Sequence, residues 1–435
     1  MTYNWNDRTP HHIKMEHLTP REKYKLIDSD VFCILPWVHL SMEPNGKVLP
    51  CCVSKGPVGN SKTNSLKEIW NDTPMLELRK AMLEDKPTAG CKDCYEQESA
   101  GFTSLRNGCN KTYGHHVKKV NATLPDGSLS DTKLYYWDVR FSNICNLKCR
   151  YCSVNYSSRW YDDLVKLGHI PRDKNNKISI TRIQFAGRHE DDVWEQIQEH
   201  LPYVEHIYFA GGEPLIMEEH NRILRLLIEV GNTTVHLTYA TNLTELKFKK
   251  ESVLDLWKHF PKIGVTASLD DMEDRIALIR SGTDWAQVEQ NIRDLKRECP
   301  HIDLMIGPTI TAMNIWHICK FHRYMVDQNL IKPEDFNLNL LQAPLYYRVD
   351  ILPMDVKLKL KQELEQHLDW LRPLDSLQRA TVQFESVINL MMSADNSALL
   401  PEFWEVSDQL DSIRSENLVD VIPELRAIEQ YRKYK

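Results

Sequence analysis

Three cysteines, Cys145, Cys149 and Cys152, fall close together in the stretch "VRFSNICNLKCRYC" (139–152). Thiolates are soft ligands suited to iron and zinc. A closed structural zinc site takes four ligands, and no fourth cysteine or histidine stands in this loop. Three ligands leave a coordination position free, which is where a metal does chemistry. An iron–sulfur cluster held by three cysteines, with one iron left open, fits that count.

A second set of thiols lies near the start of the chain, in "FCILPWVHLSMEPNGKVLPCC" (32–52) and "CKDCYEQE" (91–98). The segment "EPNGKV" reads as a hairpin turn, so Cys33 and Cys51 flank a β-ribbon. Cys91 and Cys94 have the spacing with which two thiolates grip one metal centre. Together these four hold either zinc or an iron–sulfur cluster, and their spacing leaves both open. Cys51 and Cys52 are neighbours and point to opposite faces of an extended segment, so only one binds directly. Cys109, Cys299 and Cys319 stand apart and read as buried or incidental thiols.

These residues need elements to position them. Residues 1–125 are irregular, rich in cysteine and turn residues, and run into a linker, "NATLPDGSLSDT". Residues 132–345 alternate short β-like runs with amphipathic helical stretches. The strand runs are "LYYWDVRF", "HIYFA", "VHLTYA", "IGVTASL", "IDLMIGPTI" and "FNLNLL". Helical patterns such as "MEEHNRILRLLIEVG" and "WAQVEQNIRDLKREC" lie between them, and residues 173–190 interrupt the alternation as an insertion. This succession predicts an α/β fold whose parallel sheet curls into a barrel or partial barrel. Residues 346–435 read as a helical C-terminal region. Ligand groups gather at the C-terminal ends of parallel strands. The cysteine loop follows the first such strand.

Of the 435 residues, 42% are hydrophobic and 26% charged, the balance of a globular protein. A net charge of -7 gives no polyanion-binding surface, so no nucleic-acid partner is expected. The first residues have no apolar core of the kind a signal peptide needs, and no run approaches the roughly 18 apolar residues of a spanning helix. The expectation is a cytoplasmic protein without membrane contact. There disulfides are rare, so eleven cysteines point to metal or redox chemistry.

The C-x3-C-x2-C loop after the first strand of a (β/α)6 partial barrel resembles the signature of radical S-adenosylmethionine (SAM) enzymes, over roughly residues 132–345. The resemblance implies that Cys145, Cys149 and Cys152 hold a catalytic 4Fe–4S cluster whose open iron chelates SAM, and that Tyr151 lies near the adenine. It implies that "AGGEP", with Gly211, Gly212 and Glu213, binds the SAM amino group. Ser268 and Arg280 resemble ribose-contacting and carboxylate-pairing positions, with Arg275 a rival to Arg280. Lesser candidates are Asp270 in "ASLDD", Asn314 in "TITAMN", and Thr241 and Asn242 in "ATNLT". In that last loop Leu243 replaces the family's glycine.

Cys33, Gly46 ahead of Cys51, and Cys91-x2-Cys94 resemble the opening of SPASM and twitch domains, and "LKEIWN" (66–71) resembles the helix of that module. This implies an auxiliary 4Fe–4S cluster on Cys33, Cys51, Cys91 and Cys94, with Cys52 the alternative to Cys51. Here the module precedes the barrel, and it has the cysteines of a one-cluster twitch. The implied activity is an oxidoreductase- or transferase-type reaction. SAM is cleaved reductively, a substrate hydrogen atom is abstracted, and a peptide or protein side chain is oxidised, cross-linked or otherwise modified. Dehydrogenation or other modification of a carbohydrate or small metabolite is the alternative. A reductant such as flavodoxin or ferredoxin is the implied partner. A zinc-ribbon binding protein fused to a non-catalytic β/α domain would explain Cys33 to Cys94, but not the three-cysteine loop or "GGEP".

Overall fold

The computed structural model describes residues 9–99, 103–170 and 172–432. The outer ends of the expected N-terminal module and C-terminal region, 1–8 and 433–435, lie outside these. The described residues form two compact units. One comprises the described residues of 1–142, 185–211 and 222–237, and the other those of 143–184, 212–221 and 238–435.

In the first unit the expected ribbon is an antiparallel hairpin of strands His39–Met42 and Lys47–Leu49, with Ser41 opposite Leu49. Its turn closes through Gly46 N–H to the Glu43 carbonyl at 2.9 Å. Gly46 has φ +89°, and a Cβ there would lie 2.6 Å from Asn60 Oδ1, so the turn requires glycine. Strand His39–Met42 also pairs in parallel with Tyr136–Val139, which pairs in parallel with His206–Phe209. The cysteine-rich ribbon therefore continues the sheet of the first β/α strands. One face of these strands buries Leu40, Met42, Trp137 and Val139. On the other, the rings of His39, Tyr136 and His206 stack at 4.2 and 4.7 Å. "LKEIWN" forms helix Leu66–Trp70, started by a reciprocal capping box between Ser65 and Glu68.

In the second unit strand Ile263–Ala267 pairs in parallel with Asp303–Ile306. The run "IDLMIGPTI" breaks at Gly307-Pro308, because proline has no N–H for the ladder. It resumes at Thr309–Ile310, paired in parallel with Asn339–Leu340. "FNLNLL" contributes only that two-residue strand and a bridge from Phe336 to Ile306. Helix Trp285–Glu298 follows its predicted span and is capped by the Asp284 side chain.

The C-terminal region is helical, with Met354–Leu371, Arg379–Ser393 and Leu400–Arg414 the long elements. The first buries Val356, Leu360, Leu364, Leu368 and Leu371, one stripe of a 3.6-residue period. The α/β class with a partial-barrel alternation and a helical C-terminal region stands. Among the described residues no helix is long and apolar enough to cross a membrane.

Candidate metal centres

The cysteine loop of the second unit is held by its own backbone. Lys148–Cys149 pairs antiparallel with Arg280–Ser281, and Arg150 N–H donates to the Ile279 carbonyl at 2.8 Å. The Trp160 indole N–H donates to the Cys149 carbonyl at 2.9 Å. The Asn143 amide donates to the Val154 carbonyl at 2.7 Å and accepts from Gln184 N–H at 2.9 Å. Cys149 is buried, and Cys145 and Cys152 are half-buried. Burial pushes the Cys152 thiol up to about 12 and raises Cys145 and Cys149 as well. Left alone these are neutral thiols. They become thiolates only where a metal's charge offsets the desolvation. Three such thiols, with no fourth cysteine or histidine in the loop, could hold an iron–sulfur cluster with one open iron.

The "GGEP" segment packs on this loop. Glu213 N–H donates to the Ile144 carbonyl at 2.8 Å. A Cβ on Gly212 would sit 2.0 Å from that same carbonyl oxygen, so the second glycine lets two backbones touch. Gly211 has φ +119°, a conformation L side chains avoid.

The Glu213 carboxylate is 1% exposed. It accepts from Thr241 Oγ1 at 2.6 Å, Asn242 N–H at 2.7 Å and Leu215 N–H at 3.1 Å. Burial outweighs these bonds and pushes its pKa up to about 7. Among the described residues it has no cation within ion-pair distance, so a buried carboxylate stands ready for one. Thr241 and Asn242 thus act on Glu213. Asn242 also donates to the Asn146 side chain at 2.8 Å, beside Cys145. Leu243, in the place of a glycine, takes a glycine-like φ of +53° and is fully buried.

Asp270 is a hub, although the sequence ranked it among the lesser candidates. Its carboxylate is buried and accepts from Tyr151 Oη at 2.7 Å, Arg280 Nε at 2.9 Å, Arg280 Nη2 at 3.0 Å and Thr309 N–H at 2.8 Å. Asn314 donates to the Asp270 carbonyl at 3.0 Å and to the Thr309 carbonyl at 3.0 Å, a bracing position. Arg280 is therefore already paired within the protein, and its remaining Nη1 faces Cys149 Sγ at 3.8 Å. Arg275 pairs with Glu424, its Nη2 reaching the two carboxylate oxygens at 2.7 and 2.9 Å. Ser268 is half-buried, and its hydroxyl makes no hydrogen bond among the described residues. Asn143, Asn146 and Arg150 went unnoticed in the sequence, because nothing in their spacing marks a bracing side chain.

In the first unit Cys33, Cys51, Cys91 and Cys94 line one pocket, with Leu35, Val53 and Arg106. Cys91 ends a 3₁₀ turn and Cys94 lies in the helix that follows, Lys92–Ser99. Burial pushes Cys51 up to about 12 and raises Cys33 and Cys91. Cys52 is exposed and absent from the lining, and buried Cys109 is absent too. Arg106 donates to the Ser29 and Phe32 carbonyls at 2.8 Å each and pairs with Glu98. Four thiols on one cavity fit a closed four-ligand centre. Cys51→Ala is expected to remove about four of roughly eight irons per chain, two 4Fe–4S clusters' worth, while Cys52→Ala keeps them. Iron analysis after anaerobic reconstitution checks this, and the reverse pattern would exchange the two residues.

A family model described as the radical SAM superfamily matches residues 139–322. One described as an iron–sulfur cluster-binding domain, SPASM, matches 33–95. An S-adenosylmethionine-dependent nucleotide dehydratase of Lacinutrix mariniflava is 24% identical over 168 residues, 39% of this chain and 29% of the relative. A GTP 3',8-cyclase of Photorhabdus laumondii is 23% identical over 143 residues, 33% and 36% of the two chains. The chain thus spans about a third of the length of these curated relatives. The solved structure "Native anSMEcpe with bound AdoMet" has 21% identity and a TM-score of 0.37, covering 54% of this chain and 61% of that one. "Native anSMEcpe with bound AdoMet and Kp18Cys peptide" has 21% identity and a TM-score of 0.36, covering 53% and 58%.

Proposed function

Because the chain belongs to the radical SAM superfamily and carries a SPASM-type iron–sulfur domain ahead of the radical SAM segment, we propose that it cleaves SAM reductively at Cys145, Cys149 and Cys152 and abstracts a substrate hydrogen atom. The observation that carries this reading is the buried Glu213 carboxylate, tied through its backbone to Ile144 and lacking a cation among the described residues. An ammonium is the partner such a carboxylate takes. A cluster with an open iron, when bound, supplies the electron that splits the sulfonium into methionine and a 5'-deoxyadenosyl radical.

The chain's own residues bind and orient. Glu213 takes the SAM ammonium, and Thr241 and Asn242 hold Glu213. The Ser268 hydroxyl is available to the ribose. The Nη1 of Arg280 lies on the Cys149 side and is available to the SAM carboxylate, while Asp270 fixes the rest of that guanidinium. Tyr151, anchored on Asp270, borders the adenine. In the first unit Cys33, Cys51, Cys91 and Cys94 would fill all four positions of an auxiliary 4Fe–4S centre, leaving none for substrate.

An all-cysteine auxiliary centre suits a net oxidation, and because proteins with SPASM or twitch modules often modify polypeptides, the proposed substrate is a peptide or protein side chain. A reductant such as flavodoxin or ferredoxin supplies electrons, in the cytoplasm. Deuterium transfer into 5'-deoxyadenosine from labelled peptides tests the substrate class. Label arriving from peptides is the expected result. Label arriving only from a carbohydrate or small free metabolite would overturn the polypeptide reading and leave the SAM chemistry intact.

A further inference from the structure

Arg150 lies in the cysteine loop, between Cys149 and Cys152, and is only 1% exposed. A guanidinium out of water needs opposite charge and hydrogen-bond acceptors to be tolerated. Its Nη2 donates to Asp411 and, at 2.7 Å, to Glu416 Oε2. Its Nε reaches the Leu278 carbonyl at 3.3 Å, and Nη1 has no hydrogen-bond partner among the described residues. The two carboxylates are therefore its main compensation. Both come from the C-terminal region, Asp411 from helix Leu400–Arg414 and Glu416 from the turn after it. Ser415 takes φ +55° at that turn, a left-handed residue between the helix and Glu416.

The contacts close into two circuits. In one, the second oxygen of Glu416 accepts from Ser281 Oγ at 2.9 Å. Ser281 is the partner of Lys148 in the strand pair that carries Cys149. In the other, Lys148 Nζ pairs with Asp163 at 3.2 Å, and Asp163 pairs with Arg414 at 2.7 Å, the last two being buried. Arg414 lies over the ring of Trp160, whose indole donates to the Cys149 carbonyl. Leu410, Trp160 and Val154 form a buried apolar cluster with Cys152, Val406 and Ile413 packed against it. Polar and apolar contacts alike thus tie the cysteine loop to a helix that begins about 250 residues further along the chain.

We infer that helix Leu400–Arg414 and its following turn hold the cysteine loop in its metal-binding shape, and that Arg150 is the positioning residue through which they act. The inference rests on the proposed assignment of Cys145, Cys149 and Cys152 as cluster ligands. Groups that orient metal ligands from behind typically change metal affinity or activity by roughly 10–100-fold when lost.

The test uses the full chain with both centres reconstituted, and reads iron release to a chelator together with the change in the reduced cluster's EPR signal on adding SAM. Arg150→Gln is expected to release iron from the SAM-responsive centre roughly 10–100-fold faster, with the N-terminal centre at the wild-type rate. Arg150→Lys should fall between. The double variant Asp411→Asn/Glu416→Gln keeps side-chain shape should Arg150→Gln fail to fold. It should reproduce the same selective loss and add little in combination with Arg150→Lys. Wild-type release rates in the double variant would overturn the inference, as would equal acceleration at both centres, which marks general destabilisation. A wild-type chain with no SAM-responsive signal would overturn the ligand assignment beneath it.

Discussion

Gly212→Ala is expected to lower SAM cleavage by roughly 10²-fold or more, the penalty that misplacing catalytic groups by about an ångström can carry. The added Cβ would lie 2.0 Å from the Ile144 carbonyl oxygen, 2.6 Å from its carbon and 2.9 Å from the Asn143 carbonyl carbon. All three are backbone atoms, so no side chain can swing away. Either the cysteine loop or the Glu213 segment must move, and the 2.8 Å bond between them is lost. Gly211→Ala forces an alanine to φ +119° and sets its Cβ 2.9 Å from Arg140 Cβ. That variant should lose mainly stability. Counting 5'-deoxyadenosine per chain, with thermal unfolding measured in parallel, separates the two effects. Full activity in Gly212→Ala would mean that the two segments do not meet as described.

The second large effect concerns Glu213 and pH. Its pKa is raised to about 7 by burial, so in the free protein the carboxyl is neutral below that value and charged above it. Only the charged form attracts an ammonium. SAM affinity should therefore fall as pH drops through about 7, approaching tenfold per unit well below it. The stability of the ligand-free chain runs the opposite way. A raised carboxyl pKa favours the folded state below the unfolded value and is lost as pH rises through about 7, on the order of 3 kcal/mol. Glu213→Gln should remove both dependences. It should also weaken SAM binding by about 2–5 kcal/mol, the range for removing one partner of a buried charge pair. The amide NH₂ would also face one of the donors Thr241, Leu215 or Asn242 where the carboxylate accepts. Isothermal titration with SAM from pH 6 to 8 reads this. A flat profile in the wild type would show that Glu213 does not meet the ammonium.

What was legible in the sequence was local. The thiol spacings, the strand before Cys145, and the glycine pair before Glu213 each carry their meaning within a few residues. Even there the reason for Gly212 differed in part, since it accommodates the cysteine loop's backbone. Leu243 in a glycine-like conformation was not legible, because a buried side chain there offsets the backbone cost. "FNLNLL" alternates as a strand should, yet only Asn339–Leu340 pairs. Long-range partners were invisible. Ser41 hydrogen-bonds Asp138 across 97 residues, and Arg150 meets Asp411 across 261. Buried hubs such as Asp270 are fixed by groups from Tyr151, Arg280 and Thr309 that only the fold brings together. No periodicity encodes such a meeting.

Cys145, Cys149 and Cys152 are proposed as the centre at which SAM is cleaved. The decisive measurement is 5'-deoxyadenosine formed from SAM under reductant, in wild type and Cys149→Ala, each reconstituted with iron and sulfide. Product is expected from the wild type and none from Cys149→Ala, which should retain the roughly four irons of the N-terminal centre. Wild-type product from Cys149→Ala would rule out these three thiols as the site of cleavage.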